Sequence, residues 1–240
     1  MILFLGLFIL ALISGMLGLG VAFAAVPFLG FFFQNLVHQI QPISLLLNGI
    51  TAIFAAVGFA MAGYIDWKKA IYLSIITTIS APVGAYLVQN VEATYVWYIY
   101  LFAVIFLAYK LFSKTETITE SENFKMVCLL AVPISMLSGF LGVGPGFLLM
   151  PTMVILGFEA KKAAGINAVA VTFPSFSSLV PHLSSAQFDI NITLGLIIVG
   201  AIGSFLGARL SSTYLPSQRV KQLFGVLIVV MTVYRIYMFI

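Results

Sequence analysis

The segment Ser14-Gly-Met-Leu-Gly-Leu-Gly-Val-Ala-Phe-Ala-Ala-Val-Pro27 returns 124 positions later as Ser138-Gly-Phe-Leu-Gly-Val-Gly-Pro-Gly-Phe-Leu-Leu-Met-Pro151, identical at seven of fourteen places. Ser14/Ser138, Gly15/Gly139, Leu17/Leu141, Gly18/Gly142, Gly20/Gly144, Phe23/Phe147 and Pro27/Pro151 are retained, so what persists is chiefly residues that shape the backbone. A chain with such a repeat is two divergent copies of one unit. Helix breakers at matching places inside apolar stretches are the pattern of helices that stop partway through a membrane and lend their ends to a binding site.

Composition places the chain in a bilayer. Hydrophobic residues make up 62% and charged residues 8% of the 240, with a mean hydropathy of +1.16, far less charge than a water-facing surface carries. The net charge of +4 gives no reason to invoke nucleic acid, because in a membrane protein the placement of Lys and Arg says more than their sum. Cys128 is single, which excludes an intramolecular disulfide and a cysteine-based metal site. The apolar start lacks the basic opening and cleavage site of a secretory signal and is expected to stay in the fold.

Apolar runs fall at about 2–33, 43–63, 70–89 and 95–112, and again at about 126–157, 163–183, 190–208 and 221–239. Most have the ~20 residues a spanning helix needs. The first run of each copy is too long, since ~32 residues would make a ~48 Å helix for a ~30 Å core, and each is interrupted by its glycine motif. If every run crosses once, Lys and Arg divide 6 to 5 between the two sides. If runs one and five instead enter and return as hairpins, the division becomes 10 inside against Arg235 alone outside, which is the asymmetry the positive-inside rule demands.

The expected architecture is therefore an all-α integral membrane protein of two inverted repeats, each a broken helix hairpin plus three transmembrane helices. Repeat 1 covers 1–112, a cytoplasmic linker rich in Ser, Thr and charge covers 113–125, and repeat 2 covers 126–240. Two arms of ~13 residues reach only ~20 Å each, so both hairpin tips should end within the membrane. Irregular backbone survives there only when buried in protein or lining a wet cavity.

Gly18, Gly20, Gly142 and Gly144 supply backbone that takes positive φ, and a helix is expected to start after each cluster. Its free amide groups and dipole would attract a small anion without any charged side chain; tight helix packing is the competing reading. Asn48 and Asn167 stand at matching places on the second run of each copy, where a buried amide must find a partner or line a polar cavity. Thr51 and Thr172 could extend that lining, with Ser175, Ser177 and Ser178, and Pro174 could open the helix there. Asp66 and Asp189 each precede an apolar run and read as N-caps rather than proton carriers. Lys110 and Arg235 are expected to snorkel, and Trp67 and Trp97 to anchor at the interface. His38 and His182 do not align between copies and give little support to a metal site; His182, near Pro181, could titrate in a vestibule, but a loop histidine is the preferred reading. Ser138 with His182 could be forced into a nucleophile and base pair, but Ser14 has no matching base, so the duplicated serine reads as a hairpin cap.

The paired Gly-x-x-Gly-x-Gly-(x)6-Pro segments, the Asp66-Trp67 turn, and the helices holding Gly84-Ala and Gly207-Ala-Arg209 resemble the TauE/SafE sulfite exporter family over nearly the whole chain. The resemblance implies about eight spans and movement of sulfite or an organosulfonate across a bacterial cytoplasmic membrane. Gly20-Val-Ala, where members often have further glycines, and Pro145 between Gly144 and Gly146 depart from the family pattern at the tips. The reading is a multi-pass secondary transporter of a small sulfur-containing anion, with the substrate at Gly18, Gly20, Asn48, Thr51, Gly142, Gly144, Asn167 and Thr172. It needs no catalytic residue, cofactor or metal. The expected partners are the anion and the lipid bilayer, with homo-oligomerisation open. No ATP-binding motif occurs, so a gradient or the membrane potential would drive it. A passive anion channel and a non-transporting membrane module, such as an assembly factor, are the alternatives.

Overall fold

The computed structural model describes residues 1–92 and 122–216, with positions 94–96, 98, 99, 102, 105, 219, 222, 226 and 230 beyond them. Among these, the helices are α1 (Ile2–Met16), α2 (Ala22–Leu29), α3 (Gln41–Ala60), α4 (Trp67–Leu87), α5 (Phe124–Leu141), α6 (Gly146–Ile155), α7 (Ala160–Leu179) and α8 (Ile190–Tyr214), with no strand. A π-turn, Leu36–Ile40, leads into α3, and 3-10 turns, Val88–Asn90 and Val180–His182, extend α4 and α7. Among the described residues five segments are long and apolar enough to cross a membrane: Leu36–Ala60, Trp67–Asn90, Phe124–Leu141, Ala160–His182 and Ile190–Tyr214. Runs four and eight lie largely outside the described residues, as do Trp97, Lys110, Arg235 and most of the linker.

Local chemistry sets the helix starts. The Asp66 carboxylate accepts from Lys69 N at 3.2 Å and the Asp189 carboxylate from Ile192 N at 3.0 Å. Both are the N-caps expected of them. Asn123 does the same for α5, accepting from Met126 N at 3.1 Å. Trp67 is exposed at its helix start, as an interfacial anchor would be.

Both long runs break at the glycine motif, and in the same way. Leu19 N donates to Ser14 O and Gly18 N to Gly15 O; in the second copy Val143 N donates to Ser138 O and Gly142 N to Gly139 O. This is the Schellman closure of a helix C-terminus, and it places Gly18 at φ 62° and Gly142 at φ 68°, where a Cβ would strain the backbone. Ser14 and Ser138 therefore cap through their carbonyls. The Ser138 hydroxyl takes no part in this closure, since its Oγ donates to Ile134 O within its own helix.

Each broken run then turns back. Asn123 N, at the start of α5, donates to Leu156 O, at the end of α6, at 3.0 Å. In the first copy, a Cβ on Gly6 of α1 would overlap the Phe28 ring of α2. The arms are not the equal ~13-residue helices expected: they are 15 and 8 residues in the first hairpin and 18 and 10 in the second.

The packing keeps its form when the copies are exchanged. α1 packs on α8 and α5 on α4, while α3 and α7 pair at the centre. At Gly207 a Cβ would overlap Leu12 O, and at Gly84 it would overlap Met136 O, so matched glycines allow matched helices to touch. α3 and α7 run in opposite directions, because Val37 O meets His182 at one end and Tyr64 O meets Gly165 at the other. α4 runs parallel to α7, with Thr77 Oγ1 donating to Ala170 O at 2.8 Å and Gln89 reaching His182. Facing outward, Ile71, Ile75 and Ile79 of α4, and Ile190, Leu194, Ile198 and Ile202 of α8, expose large side chains at every fourth residue. Such stripes are suited to lipid.

Candidate functional site

The two hairpin tips converge between α3 and α7. Phe23 and Phe147, matching residues of α2 and α6, stack with ring centroids 4.9 Å apart and planes 13° from parallel. Asn48, Thr51, Asn167 and Ser175 around them are all fully buried.

Asn48 is at the middle of this arrangement. Its Oδ1 accepts from Ala22 N at 2.8 Å, and its Nδ2 donates to Ser175 Oγ at 2.8 Å. Ser175 Oγ in turn donates to Val171 O at 2.6 Å. Thr51 Oγ1 accepts from Val21 N at 3.1 Å and donates to Leu47 O at 2.8 Å. The amino end of α2 is thus capped by side chains from α3. This corrects the expectation of two free helix ends: in the first hairpin the amides that would attract an anion are already satisfied.

The second hairpin differs. α6 begins at Gly146 after Pro145, which has no N–H, and no side chain caps it. Leu148 N and Leu149 N both turn to Pro145 O, while Gly146 N and Phe147 N have no hydrogen bond among the described residues. Asn167 does not copy Asn48. Its Nδ2 donates to Gly18 O at 2.7 Å and, more weakly, to Gly146 O at 3.4 Å, so it ties the first hairpin tip to the second. Its Oδ1 is buried without a partner among the described residues. The two carbonyls fix that amide's orientation, since turning it over would set oxygen against oxygen.

Gly20 and Gly144 flank Asn48, and a Cβ on either would overlap its amide. Gly142 lies against Gln41. Seven of the eight residues expected at the site, Gly18, Gly20, Asn48, Thr51, Gly142, Gly144 and Asn167, therefore meet at the tips. Thr172 does not join them: its Oγ1 donates to Ala168 O of its own helix at 2.9 Å. Its spacing from Asn167 differs from that of Thr51 from Asn48, which turns it to another face. Pro174 does not open α7, which stays helical to Leu179.

Two further residues belong to the centre without a motif to flag them. Gln41, fully buried, donates Nε2 to Phe140 O at 3.3 Å, and its Oε1 has no partner among the described residues. Ser204 of α8 donates Oγ to Thr51 O at 2.7 Å. A glutamine at a helix start and a serine among small residues carry no signal until the chain is folded.

The ends of the bundle differ in charge. At one, Lys162 Nζ lies 2.8 Å from Glu122 and 3.9 Å from Asp66, and Lys69 pairs with the same two acids. Burial alone would push the Glu122 carboxyl up, but the hydrogen bonds and charges of Lys162 and Lys69 prevail and hold it below its ordinary value of 4.5. Beside them Lys161, almost wholly buried, donates Nζ to Ser212 O at 3.1 Å and sits 5.0 Å from the centre of the Tyr64 ring. At the other end the contacts are neutral: Gln39 with Gln187, and His182 with Gln89 and Val37 O. His182 is fully buried there, not in an open loop as expected. Among the described residues no group of three or more His, Cys, Asp or Glu is placed to hold a metal.

A multi-pass helical protein whose two broken hairpins end against each other deep in the bundle is built as membrane transporters are. The family model of the sulfite exporter TauE/SafE matches residues 2–235, and the chain belongs to that family. It is 22% identical to a probable membrane transporter protein of Xylella fastidiosa (strain Temecula1) over 93% of this chain and 89% of the relative. It is 20% identical to one of Bacillus subtilis over 88% and 90%, and 23% identical to one of Methanocaldococcus jannaschii over 74% and 70%. No solved structure matches the chain.

Proposed function

We propose that this membrane transporter is a secondary transporter of a small sulfur oxyanion or organosulfonate, which it carries across the bacterial cytoplasmic membrane. The observation that carries the reading is the uncapped start of α6. Gly146 N and Phe147 N point the positive end of a helix at the meeting point of both tips, in a site closed to water, whereas Asn48 occupies Ala22 N, the equivalent of Gly146 N in α2. One helix end offers attraction without a fixed full charge, so the anion can leave again. The family's description as sulfite exporter supports sulfur chemistry.

The repeats in this reading are 1–112 and 126–240, inverted about an axis between α3 and α7, with 113–125 on the cytoplasmic side. The opposed directions of α3 and α7 and the exchange-symmetric packing support it. Rocking one repeat against the other would expose the buried centre to each side in turn. Complete burial of Asn48 and Asn167 favours alternation over a standing pore.

Uptake of labelled sulfite, thiosulfate and sulfoacetate into proteoliposomes tests this. Saturable flux of one anion, reduced at least about tenfold in Asn167→Ala, is expected; a loss of about 1.4 kcal/mol of binding suffices for that factor. Flux that never saturates, or none for any of the three, would reject the reading.

A further inference from the structure

The neutral end of the bundle converges on one titratable ring that substrate binding does not use. His182 ends α7 and is fully buried. Its Nδ1 lies 2.8 Å from Gln89 Nε2, in the 3-10 turn after α4, and 3.1 Å from Val37 O, in the π-turn before α3. Its Nε2 has no partner among the described residues. Three elements are therefore joined through a single imidazole, and one of them is a π-turn, a rare form of helix found frequently at functional positions.

We propose that His182 is the proton-binding site of this transporter, and that proton binding opens the neutral end. The inference rests on the transport reading for its purpose but not for its test. A neutral ring has one N–H. On Nδ1 that proton serves Val37 O and leaves Nε2 a bare acceptor; on Nε2 it leaves Nδ1 to accept from Gln89 and faces Val37 O with a second acceptor. Either form is held dry. The imidazolium has two N–H donors: Nδ1–H serves Val37 O as in the neutral ring, but Nε2–H finds no acceptor among the described residues.

A charge whose donor is unpaired is not tolerated away from water. Among the described residues no carboxylate compensates. The titratable and charged groups on the surrounding elements are His38 in the π-turn, Glu92 beyond α4 and Asp189 at the start of α8. Both acids are exposed, and none of the ion pairs among the described residues involves His182. The charged cluster of Asp66, Lys69, Glu122 and Lys162 is at the far end of α4 and α7. The proton is therefore accommodated only where the ring meets water. By linkage, acid selects the conformation in which α7, α4 and the π-turn have parted. A downhill proton can in this way set which side of the transporter is open.

The test needs no substrate. Val37 presents only its carbonyl to His182 and its side chain is buried, so Val37→Cys in a Cys128→Ser background reports opening of this end. Maleimide labelling rates are measured in detergent micelles from about pH 8 to about pH 5, the range in which histidine changes charge. Dividing each rate by that of the same protein with His182→Gln removes the titration of the thiol itself. The ratio is expected to rise about threefold or more as pH falls. A flat ratio would overturn the proposal. Should His182→Gln fail to fold, hydrogen exchange of residues 36–41 in the otherwise unmutated chain decides: loss of protection in acid supports the proposal, and constant protection refutes it. An absence of anion flux would count against the transport reading alone.

Discussion

Asn48 caps a helix it does not belong to. Its carbonyl oxygen takes Ala22 N and its amide nitrogen takes Ser175 Oγ, so both halves of one side chain hold the first hairpin in place. Asn48→Ala leaves a buried amide without a partner and should cost ~1–3 kcal/mol, read as a lower unfolding midpoint in detergent. Thr51→Val removes the acceptor of Val21 N and belongs to the same range. Thr172→Val is expected to be near neutral by the same measurement, because that hydroxyl serves only its own helix. Equal losses for Thr51→Val and Thr172→Val would mean that the capping account is wrong. The sequence marks Asn48 and Asn167 as a pair, yet it makes them look alike. Their roles part because Asn48 takes Ala22 N of its own hairpin, whereas Asn167 donates across to Gly18 O of the other.

Between elements, close approach is arranged by glycine. Gly84 lets α4 reach α5, and Gly207 lets α8 reach α1, each with its Cβ position already occupied by a facing carbonyl. Gly84→Val and Gly207→Val should each cost at least ~1–3 kcal/mol through overpacking and impair folded yield to similar degrees, measured by monodisperse recovery in detergent. A large effect at one and none at the other would contradict the exchange-symmetric packing. The charged end adds a pH dependence. Glu122 has its folded pKa lowered, so its contribution to stability is complete above its unfolded value of 4.5 and is lost as pH falls through the folded one. Thermal stability should therefore drop in that acid window, and Glu122→Gln should flatten the drop. An unchanged acid profile in the variant would show that the pairs with Lys69 and Lys162 contribute nothing.

For the molecule as a whole, orientation is the open consequence of the inverted reading. Cysteines placed singly at Gln34 and at Glu159, in a Cys128→Ser background, are expected to react with an impermeant maleimide from opposite sides of the membrane. Labelling from the same side would remove the inverted topology. Much of this architecture was legible in the chain: the broken runs, the N-caps Asp66 and Asp189, and the shared location of the glycine motifs with Asn48 and Asn167 all follow from spacing and composition. These are local matters, governed by helix length, backbone freedom and the need of a buried amide for a partner. What the chain alone does not disclose is which of the two helix starts stays open, that Thr172 turns away, that Gln41 and Ser204 join the centre, and that His182 is buried between three elements. Each depends on atoms from segments far apart in sequence, and hydrogen-bond satisfaction is decided only when those segments meet. The sequence by itself determined where the helices must break; the tertiary structure decided which of the exposed backbone groups found partners and which were left to bind something else.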